Sequence, residues 1–281
     1  EPVFLDFKKD MSQLTAKSDI PVLYKQNTTN DLFQLIYVFD MGNNNDKALG
    51  TAFDYLEYLG TSDMTPEELK SEFYRLACTF YVSPGNERTY VVLSGLNENM
   101  PAAMQLFEKL LADAQVNKEA YNNLVGDILK ARADAKLNQG QNFSRLMNYA
   151  MYGPKSPATN LLTEAELASM NPQELVDRIH NQNNYKHRIL YYGPSSSKDL
   201  LATIDQYHQV PATLKDIPAG NEFSYLETPA TKVLVAPYEA KQIYMAQISN
   251  LDKKYDPAIE PTRELYNEYF GGGMNSIVFQ E

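Results

Sequence analysis

Leu49–Thr61, LGTAFDYLEYLGT, constrains the chain more than any other stretch. Leu49, Ala52, Phe53, Leu56 and Leu59 recur at three- and four-residue spacing, which predicts one amphipathic helix with a single apolar face. A helix of this length is not stable alone in water, so its stripe demands a sheet or other helices to pack against. Asp54, Glu57 and Tyr58 fall on the opposite side. Gly60 occupies the position of a helix-terminating glycine, and Asp46 is placed to act as N-cap.

The elements around it predict what covers that stripe. Val3–Phe7 and Val22–Lys25 read as strands, and Leu32–Asp40 (LFQLIYVFD) as a strand buried on both faces. Thr65-Pro66-Glu67-Glu68 is a helix start, with a Thr cap, proline at the first position and acids in the first turn. Thr79–Ser83 and Arg88–Leu96 flank the turn Pro84-Gly85-Asn86-Glu87 and read as a hairpin. A helix from Asn97 or Asn99 to about Ala114 carries the stripe Met104, Phe107, Leu110 and Leu111, and helices follow over Lys118–Asn138 and Gln141–Tyr152. After the break at Tyr152-Gly153-Pro154 come helices at Thr163–Ser169 and Pro172–Asn183, a strand at Lys186–Tyr192 and a helix at Ser195–His208. Strands at Lys232–Ala236 and Gln242–Asn250 and a helix at Pro261–Phe270 complete the series, the last ended by Gly271-Gly272-Gly273-Met274. This order predicts an α+β fold of two similar domains, residues 1–175 and 176–281. Each is a mostly antiparallel sheet with helices packed on one face.

The polar side of Leu49–Thr61 carries a degenerate motif. Histidines at the first and fifth positions of HxxEH would put two imidazoles and a glutamate base on one side of a helix, a set that binds zinc and activates water. Here the five positions are Asp54-Tyr55-Leu56-Glu57-Tyr58, so the base position is kept and both imidazole positions are changed. With its flanks Gly50-Thr51-Ala52 and Leu59-Gly60-Thr61, the stretch resembles the inverted zinc motif of the pitrilysin/insulysin-like (M16) metallopeptidases. The resemblance extends to the Asn171-Pro172-Gln173-Glu174-Leu175 helix start and the strand Arg188–Gly193. It is most specific in Leu265–Glu281, where GGGM, a small polar pair and Phe-Gln-Glu resemble the family's LGGGMSSRLFQE stretch.

The resemblance implies two homologous halves closing around a peptide, only one of them carrying zinc. The changes at Asp54 and Tyr58 identify this chain with the non-catalytic half. The family's third ligand is a downstream glutamate, yet Ala120–Thr163 contains none, and Lys130 and Arg132 occupy the corresponding stretch, where they would repel a dication. No metal and no catalytic residue are therefore expected in this chain, with zinc in the other half of the parent protein. Gly271, Gly272, Gly273 and Met274 become substrate-binding candidates. The implied partners are a peptide substrate and a zinc-bearing half in the same chain or another. The expected function is to wall the peptide chamber and position substrate there. Leu32–Asp40 and Arg88–Leu96 are candidate edges for strand addition. The alternative is a structural pseudo-peptidase subunit like the respiratory-chain core proteins. The chain's end after Ile277-Val278-Phe279 predicts a truncated fragment, and the resemblance points to a periplasmic or cell-envelope location.

Composition removes other classes. The net charge of −11 argues against nucleic-acid binding, which needs clustered Lys and Arg. No apolar run reaches the roughly 18 residues of a membrane span. Glu1-Pro2-Val3-Phe4 does not read as a signal peptide. Cys78 is the only cysteine, so no internal disulfide forms, and its apolar surroundings predict a buried inert thiol. His180, His187 and His208 show no ligand spacing and read as exposed polar residues. Ser195-Ser196-Ser197 opens a helix and reads as a cap. Gly271-Gly272-Gly273 follows a helix and lacks the Lys-Ser/Thr of a phosphate loop.

Overall fold

The computed structural model describes residues 4, 6–239, 242–250 and 255–280. A helical turn, α1 (Phe7–Asp10), precedes β1 (Ser12–Ala16), β2 (Ile20–Gln26) and β3 (Leu32–Phe39). Then come α2 (Leu49–Leu56), α3 (Pro66–Arg75), β4 (Cys78–Pro84), β5 (Thr89–Leu96) and the helices α4 (Met100–Asp113), α5 (Lys118–Ala135) and α6 (Gln139–Tyr152). α7 (Glu164–Ser169), α8 (Gln173–Asn181), β6 (Arg188–Gly193) and α9 (Ser197–Tyr207) follow, and α10 (Glu260–Gly271) and α11 (Ile277–Gln280) end the series. The strand expected at Val3–Phe7 is not seen: Phe7 begins α1, and Val3 and Leu5 lie outside the described residues.

The six strands form one sheet in the order β1-β2-β6-β3-β5-β4. All ladders are antiparallel except β2–β6, where Val22 pairs with Ile189 and Tyr24 with Tyr191. The α+β class with a mostly antiparallel sheet is therefore what the chain adopts. One sheet face carries Phe33, Leu35, Tyr37, Phe39, Val91, Leu93, Ile189 and Tyr191. It shares a core with Leu49, Ala52 and Leu56 of α2, Met104 and Phe107 of α4, Leu175 and Ile179 of α8, and Leu200 and Ile204 of α9. Gly95 lies opposite Cys78 in the β4–β5 ladder, and a Cβ there would stand 2.4 Å from the Ala77 carbonyl oxygen and 2.6 Å from Cys78 Cα. Only glycine fits that approach.

Three expectations are corrected by this topology. The division at 175/176 cuts through a single unit, because β6 inserts between β2 and β3 and α8 and α9 pack on the same core. Neither Leu32–Asp40 nor Arg88–Leu96 is an edge: β3 and β5 are paired on both sides, and the edges are β1 and β4. A strand's own residues do not state which neighbours it will find, so edge and interior are invisible in sequence. The strand expected at Lys232–Ala236 is not formed, and no strand occurs among the described residues of 242–250. Val233 and Val235 are exposed, at 84% and 74%. An alternating run becomes a strand only beside a backbone to pair with. The segment instead lies against α6: Tyr225 stacks on Tyr152, the Tyr244 ring meets Phe143 edge-on, and the Tyr238 hydroxyl donates to the Leu137 carbonyl.

Candidate functional site

α2 buries the stripe that the spacing predicts. Leu49, Ala52, Phe53, Leu56 and Leu59 are each 3% exposed or less. The helix begins with its pattern at Leu49 and ends earlier, at Leu56. Ala48 is the N-cap position, and Asp46 sits two residues before it, where its Oδ1 accepts the Ala48 N–H (3.0 Å) and its Oδ2 the Arg178 Nε–H (2.7 Å). At the other end the ladder tightens to three-residue steps, Tyr58 N–H to Tyr55 O (3.0 Å) and Leu59 N–H to Leu56 O (3.1 Å). Glu57 and Tyr58 therefore lie past the α-helical part, and the first and fifth positions of the motif no longer share a regular helix face.

Asp54, Glu57 and Tyr58 are all exposed and stay together on the side away from the core. Partial burial, and then the neighbouring Glu57 charge, push the Asp54 carboxyl above its ordinary range. Tyr55, between them in sequence, points the other way and is fully buried. Its hydroxyl donates to the Asn117 carbonyl (2.6 Å) and accepts the Asn117 N–H (2.9 Å), and its ring meets Tyr121 edge-on at 5.8 Å. These contacts tie α2 to the start of α5. Lys130 and Arg132 lie roughly 14–17 Å further along α5 from Tyr121, at 1.5 Å per residue.

This donor set does not fit a zinc site of the HxxEH kind. It offers two carboxylates, one of them held toward its neutral form, and a phenol on a tightened turn, with no imidazole. Among the described residues no three His, Cys, Asp or Glu side chains gather as a metal-ligand group. Gly271–Met274 closes α10: Gly272 is the C-cap, Gly273 has φ +90°, and Met274 is 75% exposed. No hydrogen bond links this stretch to α2 among the described residues, so the structure does not bring the two sequence-identified sites together.

The structure does gather a cluster that sequence reasoning passed over. Glu108 of α4 is 1% exposed and accepts from the Tyr37 hydroxyl (2.9 Å), Asn183 Nδ2 (2.9 Å) and the Gln209 N–H (3.0 Å). His208 Nδ1 lies 2.7 Å from Glu108 Oε1, and His208 Nε2 lies 2.8 Å from His187 Nε2. His187 and His208 are buried, not exposed as expected, because both rings pack among aromatic groups: His187 on Phe39 at 4.6 Å and His208 on Tyr37 at 4.3 Å. Burial, and then the His208 charge, lower the His187 pKa to about 4. Burial, reinforced by Glu108, raises the Tyr37 hydroxyl well above its usual range. Periodicity held the signal. Glu108 falls within the stripe Met104-Glu108-Leu111, His187 on the buried alternation His187-Ile189-Tyr191, and His208 at the end of the series Leu200-Ile204-His208. Cys78 is buried as expected, and its thiol is pushed up by desolvation.

The described residues form one mostly antiparallel sheet with helices packed on one face, an α+β domain. The chain has the fold of the M16 peptidases. Superposition on the periplasmic protease PqqL from Escherichia coli gives a TM-score of 0.69 at 15% identity, covering 81% of this chain and 26% of that one. The ferredoxin protease FusC, solved as a mutant in complex with Arabidopsis ferredoxin, matches at 0.66 and 11%, covering 80% of this chain and 25% of that one. A peptidase M16 inactive domain from Pseudomonas fluorescens matches at 0.63 and 16%, covering 76% and 54%. The chain thus spans about a quarter of the length of the two full proteases. No family profile and no curated protein sequence matches it.

Proposed function

We propose that this chain is the non-catalytic half of an M16-like zinc metallopeptidase. In this reading it walls the peptide chamber and positions substrate for a zinc-bearing half elsewhere in the same polypeptide or in a partner. The observation that carries the reading is the exposed side of α2, where Asp54, Glu57 and Tyr58 stand on an M16 fold in place of an imidazole pair. Zinc would belong to the other half, which would supply the metal-activated water. The fold likeness to an M16 inactive domain supports the assignment, and the likeness to a periplasmic protease supports an envelope location. No helix among the described residues is long and apolar enough to cross a membrane.

In this reading the substrate edge is β4. Among the described residues no strand pairs with its outer side, it packs against α2, and Thr79, Tyr81 and Ser83 project from it into solvent. An extended peptide would add there by backbone hydrogen bonds. Gly271–Met274 remains a candidate contact to the same peptide.

The test is metal analysis and peptide cleavage by the 281-residue chain, with amide-exchange mapping in the presence of an unstructured peptide. Substoichiometric zinc, no cleavage, and added protection on Thr79–Val82 are the expected results. One tightly held zinc per chain, or hydrolysis by this chain alone, would refute the reading. Protection elsewhere with β4 unchanged would remove β4 as the edge.

A further inference from the structure

The buried cluster holds a proton whose position follows from its partners. His187 Nδ1 lies 2.7 Å from the Tyr185 carbonyl, which only accepts, so Nδ1 carries hydrogen and Nε2 of the neutral ring carries a lone pair. His208 Nε2, 2.8 Å away, must then donate to it. On its other side His208 faces Glu108, already the acceptor for Tyr37, Asn183 and Gln209. Glu108 accepts from three other donors, so one proton is left to lie between its Oε1 and His208 Nδ1. The chain Glu108–His208–His187–Tyr185 is thus complete with that one shared proton, the paired state that a buried charge requires.

We propose that this shared proton is an acid-released latch, and that what it holds is the connector leaving α9. A second proton, on His187, would set two N–H groups against each other and add a positive charge to the cluster, where Glu108 is the only carboxylate among the described residues. Among the described residues no other charge in contact offsets it. From β3 the cluster faces the Tyr37 hydroxyl and the Phe39 ring. Past α8 it faces the neutral Asn183, while His180 on α8 is turned to the Ala114 carbonyl. Arg188, next in β6, is paired with Asp40; Lys186 is paired with Asp216; and Lys17, before β2, donates to the Asp205 carbonyl. His208, Glu108 and Asn183 line an open pocket of about 540 Å³, which gives protons a route inward.

The residues of the latch also hold the connector. Gln209 donates to Glu108, Lys215 N–H to the Asn184 carbonyl (2.7 Å), and Lys186 N–H back to the Lys215 carbonyl (2.9 Å). Segment 184–187 therefore carries both His187 and the backbone that grips 215, so displacing His187 loosens both grips at once.

Amide exchange at Gln209 and Lys215, corrected for intrinsic rates, tests this. With His187 depressed to about 4 when closed and near 6.5 when open, the opening constant should rise about 20-fold between pH 7 and pH 5. The interior ladder amides of β3 and β5, which open only with the whole chain, should remain the slower to exchange at each pH. His187→Gln keeps an acceptor for His208 but cannot be protonated; it should preserve the neutral-pH protection and abolish the pH dependence. Should that variant fail to fold, ¹⁵N titration of the wild-type imidazoles decides. His208 protonated on both nitrogens at pH 7 with His187 neutral supports the latch. His187 titrating near 6.5, pH-independent protection at 209 and 215, or a metal ion bound between the two Nε2 atoms overturns it.

Discussion

Replacing Tyr55 by Phe separates the structural from the functional content of the degenerate motif. The substitution keeps the ring that packs on Tyr121 and removes one oxygen. That oxygen makes two hydrogen bonds to the Asn117 backbone, at 2.6 and 2.9 Å, and Asn117 caps α5 by accepting the Ala120 N–H. At about 1 kcal/mol for each net hydrogen bond, the loss is about 2 kcal/mol. In a domain of this size that corresponds to a fall in Tm of roughly 4–8 °C. Urea denaturation should show a lower midpoint with an unchanged slope, since the core is not reorganised. Amide exchange at Tyr121, whose N–H bonds to the Asn117 carbonyl in the first turn of α5, should quicken. Asp54→Ala, one position earlier and on the exposed side, should change stability by less than about 0.5 kcal/mol. If Tyr55→Phe is as neutral as Asp54→Ala, the tie between α2 and α5 is not what holds this end of the core, and the structural reading of Tyr55 fails.

Acid should destabilise the whole chain as well as the connector. His187 has a folded pKa of about 4 against an unfolded value near 6.5, so the unfolded state binds the extra proton within that window. Stability is full above pH 6.5 and falls with pH, losing about 3 kcal/mol from this group by pH 4, as urea titrations across that range should show. Gly95→Ala should cost several kcal/mol, roughly 3, because the Ala77 carbonyl and Cys78 Cα it would strike are backbone; a variant that melts within about 1 °C of wild type would contradict the β4–β5 register.

Much of the molecule follows from local chemistry. The stripe of α2, the Thr65 capping box with Pro66 at the first position, and the hairpin across Pro84–Arg88 are properties of neighbouring residues, so spacing and cap chemistry state them directly. The absence of histidine from Asp54–Tyr58 is also written in sequence, since it depends only on which side chains occupy five positions. Only tertiary structure decided the rest. It placed β6 in the middle of the sheet, which made β4 an edge and removed the boundary expected at 175/176. It turned Tyr55 inward, because a hydroxyl partner 62 residues away satisfies its buried oxygen. It drew Glu108, His187 and His208 from three elements into one hydrogen-bonded chain, a meeting that no local pattern states. Strand partners and buried polar groups are set by what meets across the fold, and a buried charge is tolerable only where distant residues supply the opposite charge and the matching donors.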